Sequence, residues 1–231
     1  MKRLLLVIGA FAALALPASA SARIVELGSV SDAVNPGCPA DPCAAAVRMT
    51  GLQGRAAGGP KNPYYIRRAG YIVAFTVRLG DPNAEQLEFF TGNFGSPSQV
   101  RLSVLRRGDT RRTRLNHRLL AQSEVFELDR YFGSSPTFVL SEPLRVNKGN
   151  WIGITVPTWA PMFVPELGRS NWWRASRTKN TCDPPRSLRQ QFAMTEPGTV
   201  DVFGCTYHGE RLLYTATYVP DPKPTSETAN P

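Results

Sequence analysis

Regular alternation along this chain is clearest at residues 71–79. Tyr71, Val73, Phe75, Val77 and Leu79 share one side of a two-residue repeat that is rich in β-branched and aromatic residues. Such a repeat is typical of a half-buried β-strand. The Gly-Asp-Pro-Asn sequence at 80–83 consists of residues that turns prefer, and it predicts the end of the strand.

Shorter apolar runs recur about every ten residues, with turn residues between them. They predict further strands at 23–30, 44–53, 86–91, 99–106, 119–128, 137–140, 144–146, 151–156 and 211–219. No segment shows a helical repeat of useful length, and the 19 glycines and 20 prolines favour a chain rich in loops. We therefore predict an all-β protein, an antiparallel β-sandwich or barrel.

Within this class a jelly-roll-like sandwich is favoured by residues 138–154. The stretch contains Phe138, Leu140, Pro143-Leu144 and Val146, followed by Lys148-Gly149-Asn150-Trp151-Ile152-Gly153-Ile154. It resembles the penultimate strand pair of many jelly-roll binding modules, in which an edge strand turns at Lys-Gly into a central strand.

The first 22 residues are predicted to be a secretory signal peptide. Lys2-Arg3 precedes an apolar run at 4–16, and Ala18-Ser19-Ala20-Ser21-Ala22 permits cleavage after residue 20 or 22. The apolar run is shorter than the roughly 20 residues of a membrane span, so no transmembrane anchor is expected. We predict a secreted or cell-surface protein with one domain at 23–219. Residues 220–231 lack apolar anchors and are predicted to be a disordered tail.

Four cysteines in an exported chain predict two disulfides. The pairs Cys38–Cys43 and Cys182–Cys205 are favoured among the three possible connectivities. The first closes a tight proline-containing loop, and the second crosses a loop rich in proline and polar residues. Zinc is disfavoured because neither the cysteine spacings nor the two histidines fit a zinc site. We expect no metal ion and no cofactor.

The chain is basic, with 27 Lys and Arg residues against 18 Asp and Glu residues. A basic exported protein tends to adhere to anionic polymers such as envelope glycans. Only five of the basic residues are lysines. An arginine bias of this kind also arises from base composition alone, and this alternative stays open.

Residues 157–180 form the first candidate binding segment, predicted to be a long irregular loop. Exposed indoles stack on sugar rings, and guanidinium groups bind carboxylates and phosphates. The alternative is that the loop folds back and buries its rings as a second small core. The candidate residues are Trp159, Trp172, Trp173, Arg169, Arg174 and Arg177.

Residues 106–118 form the second candidate, a run of arginines in which Asp109 is the only acid. Such a run suits a polyanion. The alternative is a solvated hairpin tip whose charge discourages aggregation. No recognised nucleic-acid-binding module is present, so specific nucleic-acid recognition is not expected. The arginines are Arg106, Arg107, Arg111, Arg112, Arg114 and Arg118.

Motifs of catalysis are absent from the sequence: it has no G-x-S-x-G, no H-E-x-x-H, no phosphate loop and no dinucleotide fingerprint. We therefore assign no catalytic residue. Glycoside hydrolysis needs only two converging carboxylates, so a polysaccharide hydrolase or lyase stays an alternative. The glutamates available for it are Glu85, Glu88, Glu124, Glu127, Glu166 and Glu210.

Three segments resemble a group of exported, uncharacterised proteins of high-GC bacteria, and the similarity covers residues 36–219. The segments are Cys38-Pro39-Ala40-Asp41-Pro42-Cys43, Thr155-Val156-Pro157-Thr158-Trp159-Ala160-Pro161 and Trp173-Arg174-Ala175-Ser176-Arg177. The group has no established activity, so the resemblance implies export and a β-rich fold without implying a reaction.

Taken together, these features favour a non-catalytic module that binds extracellular or cell-envelope glycans or other anionic polymers. A structural or self-associating surface protein is the second hypothesis, and the hydrolase or lyase is the third. The oligomeric state is not predicted.

Overall fold

The computed structural model describes residues 23–30, 34–182 and 189–222. The predicted signal peptide and residues 223–231 of the predicted tail lie outside the described residues. The described strands and the α-helix are, in chain order, β1 Val25–Gly28, β2 Ala46–Arg55, β3 Gly70–Val77, α1 Ala84–Phe94, β4 Gln99–Arg107, β5 Asn116–Gln122, β6 Phe126–Glu127, β7 Thr137–Val146, β8 Asn150–Ala160, β9 Phe163–Val164, β10 Trp172–Ala175, β11 Val200–Val202, β12 Cys205–His208, β13 Arg211–Leu212 and β14 Tyr214–Pro220. Two short 3-10 helices, Asp129–Tyr131 and Lys179–Thr181, are also described.

The described strands form three antiparallel sheets: two large ones, and a two-stranded sheet in which β9 pairs with β13. The two large sheets differ in size. The smaller has the strand order β1-β14-β3-β7, and the larger has the order β11-β5-β4-β8-β2-β10-β12, with β6 paired to β4. Successive strands repeatedly change sheet. The chain passes from β2 in the larger sheet to β3 in the smaller and back to β4, and later from β7 in the smaller sheet to β8 in the larger. Such alternation between two sheets is typical of a jelly roll. The predicted antiparallel β-sandwich is confirmed.

The core lies between the sheets. Phe75 and Val77 of β3 are fully buried, as are Leu102 of β4 and Ile152 and Ile154 of β8. The predicted face of 71–79 is wrong at its start, because Ile72 is buried while Tyr71 is 43% exposed. An irregularity in the pairing of β3 and β7 between Ile72 and Ala74 shifts which residues point inward.

The prediction of a strand at 86–91 is wrong, because α1 occupies this segment. Asn83 caps the helix by accepting a hydrogen bond from the Gln86 backbone N–H, and the Gln86 side chain bonds back to the Asn83 N–H. This capping box is a helix start signal in the sequence. Phe90 and Phe94 face inward and pack in one cluster with Trp159.

Two prolines interrupt predicted strands but not the observed ones. β7 runs through Pro143, because β7 is an edge strand and its pairing with β3 is irregular between Val139 and Leu144, and both situations tolerate proline. β8 runs through Pro157 to Ala160, and its pairing with β2 is irregular between the Val47 and Met49 positions. The predicted strand at 119–128 instead begins at Asn116 as β5, with β6 separate, and 211–219 divides into β13 and β14.

Both predicted disulfides, Cys38–Cys43 and Cys182–Cys205, are confirmed. At the other end of the domain, β14 extends to Pro220. The Asp221 carboxylate then accepts two hydrogen bonds from Arg145, at 2.7 and 2.8 Å. Native contacts therefore reach past the predicted domain end at residue 219. No helix in the described part of the chain is long and apolar enough to cross a membrane.

Candidate functional site

The predicted long loop at 157–180 contains the end of β8, then β9 and β10. Trp159 at the end of β8 is 1% exposed. Its ring stacks on Phe90 with 5.0 Å between the centroids, and its Nε1 donates to the Gly95 carbonyl at 3.1 Å. Trp159 therefore holds α1 against the sandwich, and its indole is not presented to a ligand.

Trp173 is buried as well, at 4% exposure. It points into the core from β10, stacks on Tyr207 at 4.4 Å and donates from Nε1 to Glu210 Oε2 at 3.1 Å. Trp159 lies in a separate small cluster, as the alternative of a second core predicts, whereas Trp173 belongs to the main core between the sheets. Both indoles have satisfied N–H groups and packed faces.

Arg177 also belongs to the interior. Its Nη1 donates to the Tyr207 hydroxyl at 2.8 Å, and its Nη2 donates to the Val47 carbonyl at 2.5 Å. Arg169, in contrast, is exposed on the connection between β9 and β10. Of the six candidates of this segment, Trp172 and Arg174 are therefore left at a half-buried surface.

Trp172 and Arg174 point outward from β10, because they alternate with the buried Trp173 and Ala175. The Arg174 guanidinium carbon lies 5.5 Å from the centroid of the Trp172 ring, within cation–π range. Both residues line a cavity of about 130 Å³ whose other walls include Arg107 and Arg114. The structure thus brings together the two candidate segments that the sequence left apart.

Strand order produces this meeting. β10, β2, β8 and β4 are neighbours in the larger sheet, and the antiparallel pairing brings the start of β10 to the end of β2 and the start of β8 to the end of β4. The hairpin between β4 and β5 carries Arg107 and Arg114, and the Arg107 Nε donates to the Arg114 carbonyl at 2.7 Å. This bond holds the Arg107 side chain at the mouth of the cavity.

A second cavity of about 490 Å³ adjoins the first, and Arg107, Arg114 and Trp151 line both. We call the two joined cavities the basic basin. The larger cavity adds Tyr65, with Asp109 as its one acidic residue. Its remaining cations are Arg106 and Arg111. Arg112 and Arg118 do not line the basin. Arg112 is exposed, and Arg118 donates to the Gly198 carbonyl at 2.8 Å.

Sequence reasoning missed Tyr65 and Trp151 as site residues. Trp151 was predicted only as the start of a strand, and Tyr65 lies in a loop. An isolated β-bridge joins the two residues, and their rings meet edge to face at 5.3 Å. The Tyr-Tyr pair after Pro63 and the Asn-Trp pair after Gly149 carry no signal that would have linked them.

The basin carries unbalanced positive charge. Burial lowers the pKa of Arg174, and the nearby positive charges of Arg107 and Arg114 lower it further. The Arg174 Nε is buried without a hydrogen-bond partner. Among the described residues, no carboxylate forms an ion pair with any of these three arginines. A bound anion would therefore meet unsatisfied donors and relieve repulsion between like charges.

His117 closes the inner end of the basin. Burial is the main cause that lowers its pKa to about 4, and Arg107 and Arg174 add to the shift, while a hydrogen bond with the Leu115 carbonyl opposes it. The ring packs against Phe203 at 4.4 Å. His117 is therefore neutral at pH 7, and the positive charge of the basin comes from arginine.

The glutamates named for hydrolysis are dispersed over the fold. Glu85 and Glu88 lie on α1, Glu127 on β6, and Glu124 accepts a hydrogen bond from the Ser141 N–H at 2.8 Å. Within the described ranges, no three His, Cys, Asp or Glu side chains are grouped to hold a metal ion.

The chain matches no protein-family model, no curated protein and no solved structure. Its function must therefore be inferred from the chemistry of the basin, because a β-sandwich alone hosts many unrelated functions.

Proposed function

We propose that the protein is exported and that its basic basin binds anionic glycans of the extracellular space or cell envelope without chemical conversion. The observation that carries the proposal is the convergence of Arg107, Arg114 and Arg174 beside the half-buried rings of Trp151 and Trp172. Guanidinium groups pair with carboxylate, sulfate or phosphate substituents, and aromatic faces pack against the C–H faces of sugars.

Selective binding of a charged sugar needs both the guanidinium groups and the aromatic faces. Arginine alone would hold any polyanion through charge, and that binding would vanish as salt increases. An indole in the same cavity adds an apolar contact that salt does not screen. The combination favours a sugar polymer that carries acidic groups over a simple anion.

The test uses polygalacturonate, a polymer of acidic sugars, with purified protein and affinity electrophoresis at low and high salt. We expect retention by polygalacturonate, weaker retention by neutral amylose, and a loss of about tenfold or more in affinity for Arg174→Gln. Trp172→Ala should remove the part of the retention that survives high salt. Arg112→Gln, which changes the same charge outside the basin, is the matched control.

Equal retention of the wild type, Arg174→Gln and Trp172→Ala would overturn the proposal. Self-association and polysaccharide cleavage stay predictions. Light scattering of the same samples measures self-association, and the release of reducing ends measures cleavage.

A further inference from the structure

A third cavity, of about 360 Å³, lies next to the basic basin and shares Tyr65 with it. Its apolar lining residues include Val25, Leu27 and Ile66. Its cationic lining residues are Arg23, Lys61, Arg67 and Arg68. We call this cavity the second basin. Like the basic basin, it combines cationic side chains with apolar or aromatic ones, and no acidic residue is among its described lining residues.

Tyr65 connects the two basins, because its side chain lines both of them. On one side the ring meets Trp151 edge to face, and the Arg67 guanidinium carbon lies 5.9 Å from its centroid. A ligand that leaves the basic basin across Tyr65 would therefore pass from Trp151 toward Arg67 while it stays on aromatic and cationic groups.

Three cations of the second basin, Arg23, Lys61 and Arg67, are exposed. Arg68 is half-buried and interacts with the Tyr218 hydroxyl. The carboxylate that interacts with Arg68 is that of Asp221, and it is already held by two hydrogen bonds from Arg145. The Arg68 carbonyl accepts a hydrogen bond from the Tyr218 hydroxyl at 2.6 Å, so the backbone stays in place when the side chain is changed.

The length of the two basins also favours a ligand longer than one sugar unit. The basic basin reaches from β10 to β4, three strand spacings apart, which corresponds to about 14 Å. That span already exceeds one sugar unit, and the second basin extends it beyond Tyr65. A monosaccharide or a single acidic group would leave most of the cations without a partner.

We infer that the protein binds several successive sugars of a linear acidic polysaccharide, which lie in the basic basin, across Tyr65 and in the second basin. This inference rests on the proposed function and adds the class of ligand and the mode of binding. It predicts that affinity grows with chain length, because each basin adds an attachment point on one molecule.

The test measures the affinity of galacturonate di-, tetra-, hexa- and dodecasaccharides by isothermal titration calorimetry. The double variant Arg67→Gln/Arg68→Gln should weaken binding of the dodecasaccharide about tenfold and leave the shortest oligomer that binds unchanged. Arg174→Gln should weaken every oligomer that binds. The matched control is Arg112→Gln/Arg130→Gln, which removes two exposed arginines outside both basins and should behave as the wild type.

Affinity that does not depend on oligomer length, or an unchanged dodecasaccharide affinity in Arg67→Gln/Arg68→Gln, would overturn the inference and leave the proposed function standing. No binding of any oligomer or of the polymer would overturn the proposed function itself. Single-stranded DNA that binds as tightly as the dodecasaccharide, with the same loss in both arginine variants, would overturn the assignment to a polysaccharide.

Discussion

Gly54 and Trp172 approach each other so closely that a β-carbon at position 54 would come within 2.0 Å of two carbons of the indole. Gly54 lies near the end of β2, and Trp172 begins β10 at an irregularity in the pairing of these strands. Because position 54 has no side chain, the indole can lie over β2 and form a wall of the basic basin.

Gly54→Ala should therefore displace the Trp172 ring. We expect a loss of about 1–3 kcal/mol in the free energy of unfolding, as for other overpacked sites, together with weaker glycan binding. Chemical denaturation and polygalacturonate titration measure the two effects. Gly168→Ala is the matched control, because a β-carbon there meets nothing within 4 Å. Wild-type binding by Gly54→Ala would show that the indole does not contribute to the site.

Arg114→Gln should separate stability from binding. Arg107 and Arg114 contribute to the lowered pKa of Arg174, so removal of the Arg114 charge relieves repulsion in the basin. We expect an unchanged or slightly higher Tm and a lower affinity for polygalacturonate. Arg112→Gln on the same hairpin should change neither quantity. A clear fall in the Tm of Arg114→Gln would indicate a structural role instead.

Thr155→Val should destabilise the larger sheet. The Thr155 hydroxyl lies 2.8 Å from the Thr50 hydroxyl and 2.6 Å from the Ser103 hydroxyl, on the adjacent strands β2 and β4. It also lies 3.2 Å from Gln122 Nε2 on β5, one strand beyond β4. Valine keeps the shape but removes these bonds from a buried site. The Thr50 hydroxyl then keeps the bond from the Met194 N–H, and the Ser103 hydroxyl keeps the bond from Gln122 Nε2. The lost bonds cost about 1–3 kcal/mol.

Thr76→Val is the comparison for this prediction. The Thr76 hydroxyl pairs with that of Thr137 at 2.7 Å in an exposed position, where water can replace the lost partner. Urea denaturation of both variants should show the larger loss of stability for Thr155→Val. Equal losses would contradict a special contribution from the buried hydroxyl cluster.

His117 should make stability depend on pH. Its pKa falls from 6.5 to about 4 on folding, so the unfolded chain binds the proton more readily between these values. Stability is therefore complete above pH 6.5 and decreases as the pH falls toward 4, by up to about 3 kcal/mol. Denaturation curves for the wild type and His117→Gln should differ in slope across this window.

Comparison of these two proteins isolates the histidine. Asp201 faces His117 across the β5–β11 pair and has a pKa raised by burial, and it remains present in both. A wild-type slope in His117→Gln would show that other groups cause the pH dependence.

Local sequence patterns predicted the class of fold because they report local preferences. Alternation at 99–106 predicted β4 closely, and the cysteine count in a chain with a leader-like start predicted both disulfides. The same reasoning failed at 86–91, where a short apolar run fits a strand or a helix, and the Asn83–Gln86 capping box was the deciding signal.

The residues of the basic basin were also predicted only in part from the sequence. Abundant arginine and tryptophan in two segments predicted the chemistry, and those segments contribute Arg107, Arg174 and Trp172 to the basin. Which indole faces outward was beyond the sequence. Trp172 and Trp173 are adjacent, so only the register of β10 in the sheet decides that one lines the basin and the other enters the core.

By itself the sequence determined the β-rich class, the expectation of two disulfides and a positive charge concentrated in arginines, because these depend on composition and on local patterns along the chain. The tertiary structure decided where a ligand can lie. Trp151, Arg107 and Arg174 come from three strands, β8, β4 and β10. They share one cavity because antiparallel pairing brings the end of β4, the start of β8 and the start of β10 to the same edge of the larger sheet. Pairing between distant strands and the irregularities in their register are long-range properties, and no local pattern encodes them.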